Sequence, residues 1–184
     1  MIVEGFPFWL KDREYLVMRI MAACAALVFG ASLAHADPIE DCNQVQDREL
    51  QLRGCTAYIR LGKGSPENLA IAYLNRANIY AQRTKYNLAF PDYSAALALD
   101  PNNPLMHYNR GNAYFDQQQY ERAIGDFSRA IELDGSFALA FYNRGLAQER
   151  LGDNAAAAAD YRRTLALDAT TVKAQRRLER LQSQ

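Results

Sequence analysis

A chain of 184 residues with 21 Lys and Arg against 21 Asp and Glu has room for one ordinary domain and no formal net charge. That balance speaks against a basic face for nucleic acid. A hydrophobic content of 49%, rich in alanine and tyrosine, argues against disorder and suits a packed helical protein.

Residues 18–36 read as an export signal. Arg19 gives a basic start, a run of about ten apolar residues follows, and Ala34-His35-Ala36 forms a small-residue cleavage site ahead of Asp37. The run is too short for a comfortable membrane span. Cleavage is expected after Ala36, with Met18 as the true start and residues 1–17 upstream of it. A lipoprotein acylated at Cys24 is the weaker alternative, because Met21-Ala22-Ala23 leaves almost no apolar core before the cysteine.

Export leaves Cys42 and Cys55 as an even pair in an oxidising compartment, where a disulfide is the default. Two unpaired cysteines, one of them in the core, is the alternative. Asp47 is placed to cap a helix running to about Leu61 with Gly62 beyond it, and Cys42 falls in a preceding segment expected to be extended and to fold back along that helix. Residues 37–64 thus form an N-terminal segment with one helix, ahead of an array over 65–184. No second cysteine pair and no nearby histidine point to a metal.

Ser65-Pro66 opens the next helix, to about Gln82; a partner covers roughly Asn87–Leu99 and stops at Asp100-Pro101. Asn103-Pro104 opens another, to about Gln117, followed by one at about Tyr120–Leu133. The third pair is about Phe137–Leu151 and Asn154–Leu167. A last helix, about Thr171–Gln182, is wet on one side, with Arg176, Arg177, Glu179 and Arg180, and apolar on the other.

These pairs share a period. Tyr108-Asn109-Arg110-Gly111-Asn112-Ala113-Tyr114 has a counterpart starting at Leu74 and another starting at Tyr142, equally spaced on either side. Ala89, Ala123 and Ala157 align, as do Tyr93, Phe127 and Tyr161, and Ala96, Ala130 and Thr164. A period in the thirties signals a stacked array of two-element repeats. Gly111, Ala123 and Ala130 are small enough to sit where two helices cross, with Tyr114, Tyr120 and Phe127 filling the space beside them.

The columns resemble the tetratricopeptide repeat family over three repeats, about 70–103, 104–137 and 138–171. The resemblance implies an all-α, right-handed superhelical solenoid of antiparallel helix pairs, with the helix after Asp47 as a degenerate half-repeat and the last helix as a cap. With the exported N-terminus and the Cys-Thr-Ala-Tyr-Ile run, the whole resembles small periplasmic bacterial members. It implies a periplasmic location, with secretion or a signal anchor as alternatives. Departures are Pro91 early in a second helix, Gln51 where small alanine is usual, and Gly135 and Ala169 where Pro101 predicts proline.

In this family the first helices line a concave groove, so the once-per-repeat ladder Asn75, Asn109, Asn143 is expected to hydrogen-bond the backbone of an extended peptide. Leu74, Asn78, Tyr108, Asn112, Phe115 and Tyr142 are expected to join it. The alternative is that the asparagines bond within the array. Leu74, Leu105 and Asn143 stand where co-chaperone members carry carboxylate-holding cations, which disfavours a partner defined by acidic C-terminal residues. Arg76, Arg110 and Arg144 with Asp92, Asp126 and Asp160 are expected to form structural ion pairs between helices.

No phosphate loop, nucleophile triad or metal-ligand motif is present, and His107 is expected to pack in the core or groove. The expectation is a protein- or peptide-binding module, not an enzyme, with no cofactor, no metal, no nucleic acid and no membrane span after signal cleavage. It would act as an adaptor in the bacterial cell envelope; a self-assembling homo-oligomeric module is the alternative.

Overall fold

The structure, a computed structural model, describes residues 38–183. The expectations for the export signal, Met18 and Cys24 lie outside the described residues. Those described residues form helices only: α1 Pro38–Asn43, α2 Arg48–Leu61, α3 Pro66–Gln82, α4 Tyr86–Leu99, α5 Pro104–Asp116, α6 Tyr120–Leu133, α7 Ala138–Arg150, α8 Asn154–Leu167 and α9 Val172–Gln182. No helix among them is long and apolar enough to cross a membrane.

Local chemistry sets the helix ends. The Asp47 carboxylate accepts from the Glu49 and Leu50 amides and starts α2; Gly62, at φ 59°, ends it. Ser65 and Asn103 cap α3 and α5 the same way, each followed by proline where no N–H is needed. Each repeat then turns through one left-handed residue at the same register: Thr84 at φ 56°, Gln118 at φ 58°, Gly152 at φ 84°. Only the glycine adopts this freely; the other two carry about 1 kcal/mol of strain each.

Between repeats an aspartate holds the turn in place of the expected proline. Asp134 accepts from the Ser136 amide and hydroxyl. Asp168 accepts from the Thr170 amide and hydroxyl and from the Thr171 hydroxyl. These bonds hold both carboxyls below the usual aspartate range. Gly135 and Ala169 therefore replace proline without loosening the turn. Pro91 is the sixth residue of α4 and exposed, so its missing amide leaves no buried group unpaired.

The pairs α3/α4, α5/α6 and α7/α8 pack as hairpins, and α9 packs on α8. Successive first helices (α3, α5, α7) touch more closely than successive second helices. The stack therefore curls with the first helices on its inner wall. The core is a string of small clusters, one around Ala77, Ala89 and Tyr93, one around Ala123 and Phe127, one around Ala157 and Tyr161. This is the nearest-neighbour packing of a solenoid.

The aligned small residues are why the hairpins close. A Cβ on Gly111 would sit 2.8 Å from Phe127 Cε1, and one on Gly145 would sit 2.8 Å from Tyr161 Cε1. Gly111→Leu is expected to cost about 1–3 kcal/mol by overpacking this crossing. Urea unfolding measures it, and an unchanged midpoint would mean that the crossing has slack.

The N-terminal segment holds two helices, not one, and Cys42 lies in the first rather than in extended chain. The six residues of α1 are too few to be helical alone. A disulfide joins Cys42 to Cys55 of α2, with Cα atoms 4.4 Å apart. Gly54 leaves room for α1: a Cβ there would meet the Cys42 amide nitrogen at 2.7 Å. Gln51 stands where alanine is usual because its amide, 3% exposed, donates to the Cys42 carbonyl at 3.1 Å. That carbonyl is one of the orphans left at a helix end.

Candidate functional site

The inner wall presents one stripe per first helix. On α5 it runs Leu105, Asn109, Asn112, Asp116, a spacing that keeps all four on one face. Ile71, Asn75, Asn78 and Gln82 occupy the same register on α3, and Leu139, Asn143, Leu146 and Arg150 on α7.

Between α3 and α5 the wall opens into a cavity of about 260 Å³. It is lined by Asn78, Ala81, Gln82, Tyr93, Asn109, Asn112, Ala113 and Asp116. Its back wall is fixed, because the buried Tyr93 hydroxyl donates to Asn78 Oδ1 at 2.8 Å. Burial pushes the Tyr93 phenol well above its ordinary range, so it stays a donor, and desolvation raises the Asp116 carboxyl. Four of its eight lining residues, Asn78, Gln82, Asn109 and Asn112, carry amide groups, which can both donate and accept.

The three ladder asparagines have different surroundings. Asn75 donates to the Cys42 carbonyl at 3.1 Å, so α1 takes the N-terminal end of the ladder. Asn143 donates to Asn112 Oδ1 at 2.7 Å and to the Tyr108 hydroxyl at 3.1 Å, tying α7 to α5. Asn109 faces the cavity, and no side-chain hydrogen bond involves it among the described residues.

The aromatics expected in the groove are half-buried and packed. Tyr108 lies 4.8 Å from Phe137 and 5.9 Å from Phe127 between ring centroids; Tyr142 lies 5.8 Å from Tyr161. Phe115 meets the edge of Tyr120 at 5.3 Å, with the Arg150 guanidinium 5.6 Å above its own ring. Leu74 is not on the groove face: it is 6% exposed, inside the first core cluster.

The wall also carries an apolar ladder that sequence reasoning missed. Ile71, Leu105 and Leu139 are 39%, 48% and 56% exposed and recur once per repeat at the head of each stripe. Their signal lies in the regular spacing, but apolar residues at helical spacing read first as core.

Arg76, Arg110 and Arg144 each grip the aspartate of the second helix in the same repeat by two hydrogen bonds of 2.7–2.8 Å, to Asp92, Asp126 and Asp160. The aspartates are 5–6% exposed. Their bonds raise the Arg76 and Arg110 guanidinium groups above the usual arginine range. His107 sits beside the second of these pairs: Nδ1 lies 3.5 Å from Asp126 Oδ1 and Nε2 3.1 Å from the Pro101 carbonyl. Each Arg–Asp pair ties a first helix to the second helix of its own repeat. Among the described residues no cluster of three or more His, Cys, Asp or Glu is placed to hold a metal.

Sequence comparison agrees with this architecture. A family model described as TPR repeat matches residues 77–118 and 111–152, and one described as tetratricopeptide repeat matches 138–171. No curated protein matches the sequence. The first TPR of Spaghetti (RPAP3) bound to HSP90 peptide SRMEEVD is 29% identical, with a TM-score of 0.61 over 65% of this chain and 94% of that one. The second TPR domain of human RPAP3 in complex with HSP70 peptide SGPTIEEVD is 35% identical, with a TM-score of 0.60 over 64% and 98%. MamA shares the fold at 22% identity, with a TM-score of 0.66 over 73% and 77%. The chain belongs to the tetratricopeptide repeat family, whose members are generally non-enzymatic protein-interaction modules.

Proposed function

We propose that this protein is an exported adaptor that holds an extended segment of another polypeptide against α3, α5 and α7. One observation carries the reading. The cavity between α3 and α5 gathers Asn78, Gln82 and Asn112 around the Asn109 amide, which makes no side-chain hydrogen bond among the described residues, on the face that carries the exposed Ile71–Leu105–Leu139 ladder. An extended chain needs both kinds of contact: amides for its backbone and apolar rungs for its side chains. Two of the similar structures hold peptides. The disulfide supports a site of action in an oxidising compartment such as the periplasm.

A photo-crosslinking phenylalanine analogue at Asn109, in the full chain and in cells, tests this. The expected result is covalent capture of a polypeptide other than this chain, with no capture from the same analogue at Glu121 on the exposed side of α6. Adducts between copies of this chain would instead make the groove a self-assembly surface. Capture from Glu121 alone would remove the groove from the account.

A further inference from the structure

A second opening lies off the inner wall, between α2 and α3. Leu52, Arg53, Thr56, Ala57 and Arg60 of α2 and Tyr80 of α3 line a cavity of about 320 Å³. The α2 residues fall at i, i+1, i+4, i+5 and i+8, hence on one face. Tyr80 shares its side of α3 with Tyr73 and Arg76, not with the Asn75–Asn78–Gln82 stripe; the Arg76 guanidinium lies 6.0 Å from the Tyr80 ring. The next repeat shows what fills the equivalent place. Helices α2 and α4 are both 14 residues long, and Leu52 is the fifth residue of α2 as Phe90 is of α4. Tyr114 stands one repeat after Tyr80. Between α4 and α5, Phe90 stacks on Tyr114 with centroids 4.5 Å apart. Between α2 and α3, leucine takes the place of that phenylalanine, and the cavity adjoins it.

The electrostatics of this opening also suit a ring. Arg53 and Arg60 are exposed and have no hydrogen bond or ion pair among the described residues. Glu49, one turn before Arg53, is taken by Arg83 at 3.0 Å. Two guanidinium groups therefore border the cavity unneutralised. Elsewhere in this chain arginines lie over aromatic rings: Arg122 5.6 Å from Tyr114, Arg150 5.6 Å from Phe115 and Arg144 5.5 Å from Phe141. The face of an aromatic ring is its negative side, so a ring placed on Tyr80 complements these cations in the same way.

We propose that this cavity seats an aromatic side chain of a partner polypeptide, stacked on Tyr80 as Phe90 is on Tyr114, with the Arg53 or Arg60 guanidinium over its outer face. The site goes beyond the groove reading and does not depend on it, because Tyr80 stands off the inner-wall stripe. Three of the six lining residues, Arg53, Ala57 and Arg60, are exposed. Such an open site leaves a free small molecule largely in solvent, whereas a ring carried by a larger surface brings its own cover. Aromatic anchors of this kind carry much of the energy of protein interfaces. Among the described residues none of the exposed large hydrophobics is aromatic, so the ring comes from a chain other than a second copy of this one.

The test is amide NMR of the full chain titrated with two neutral probes, N-acetyltryptophanamide and N-acetylleucinamide. The tryptophan probe is expected to shift the amides of Arg53, Thr56, Ala57 and Tyr80 and to bind at least about fivefold tighter than the leucine probe. R53Q with R60Q is expected to close that gap. Leu52→Phe supplies the ring from the chain itself; it is expected to abolish the shifts and to raise the urea midpoint. Equal binding of the two probes, or a preference retained in full by R53Q with R60Q, overturns the proposal. So does a lowered midpoint in Leu52→Phe, which would mean that no space for a ring exists beside Leu52. In cells, the photo-crosslinking analogue at Ala57 is expected to capture a different polypeptide, and Leu52→Phe to remove that adduct while leaving the one from Asn109. Adducts between copies of this chain at Ala57 would give the cavity to self-assembly and overturn the proposal, with the groove reading untouched.

Discussion

Arg110→Ala is expected to destabilise the chain by about 3 kcal/mol. The mechanism is the stranding of Asp126. Its side chain is 8% exposed and receives both guanidinium bonds; without them a carboxylate is left in a nearly dry crossing between α5 and α6. Removing one partner of a buried pair costs about 3–5 kcal/mol, and the lower end applies because Arg110 itself is 23% exposed and His107 stays close to Asp126. Removing both partners should cost less, because no orphaned charge remains. Urea unfolding of Arg110→Ala, Asp126→Ala and the double variant measures the cycle. A double variant that loses the full sum of the single losses would mean that the two groups do not act as a pair. The same arithmetic applies to Arg76–Asp92 and Arg144–Asp160, so the three pairs set the angle of each hairpin and, through it, the inner wall.

The second large effect is at the N-terminal end. Replacing Cys42 and Cys55 together by serine is expected to cost about 3 kcal/mol, from the entropy restored to the unfolded chain. The structural consequence is more specific than the loss of stability. The helix α1 is six residues long and is held by the disulfide, by Gln51 and by Asn75. Without the bridge, the hydrogen bonds to the Cys42 carbonyl and the packing of Ile39 must hold it, and two hydrogen bonds at about 1 kcal/mol each offset only part of the cost of ordering six residues. Amide exchange over 38–46 should therefore accelerate far more than exchange in α5 or α6. Equal acceleration throughout would mean that the disulfide supports the whole array rather than α1.

Most helix boundaries were legible because their causes are local. A carboxylate, hydroxyl or amide at Asp47, Ser65 or Asn103, a proline after the last two and a left-handed glycine at Gly62 act within one turn of the chain. The crossings were legible because they repeat: an alanine or glycine at the same place in every repeat leaves a mark that one copy would not. What failed to show depends on residues distant in sequence. Pro38 at its first position and Glu40 and Asp41 in its first turn are start signals for α1, but a helix of six residues is held by a bond to Cys55 and a carbonyl shared by Gln51 and Asn75, which the segment itself does not show. Asn75, Asn109 and Asn143 are identical as letters and differ in what sits opposite them: a carbonyl, open space, and another amide. Leu74 neighbours the ladder in sequence yet turns into the core, and the exposed rungs lie almost one helical turn earlier in the register, at Ile71, Leu105 and Leu139. The cap helix reads as a solvated end, which its amphipathic pattern fits.

The central claim is that the inner wall formed by α3, α5 and α7 is the surface a partner meets. Amide hydrogen exchange of the full chain, free and in complex with the polypeptide captured from Asn109, tests this most directly. The account predicts protection in α3, α5 and α7 on binding and none in α1 or α6. Protection confined to the second helices, with α3, α5 and α7 unchanged, would contradict it.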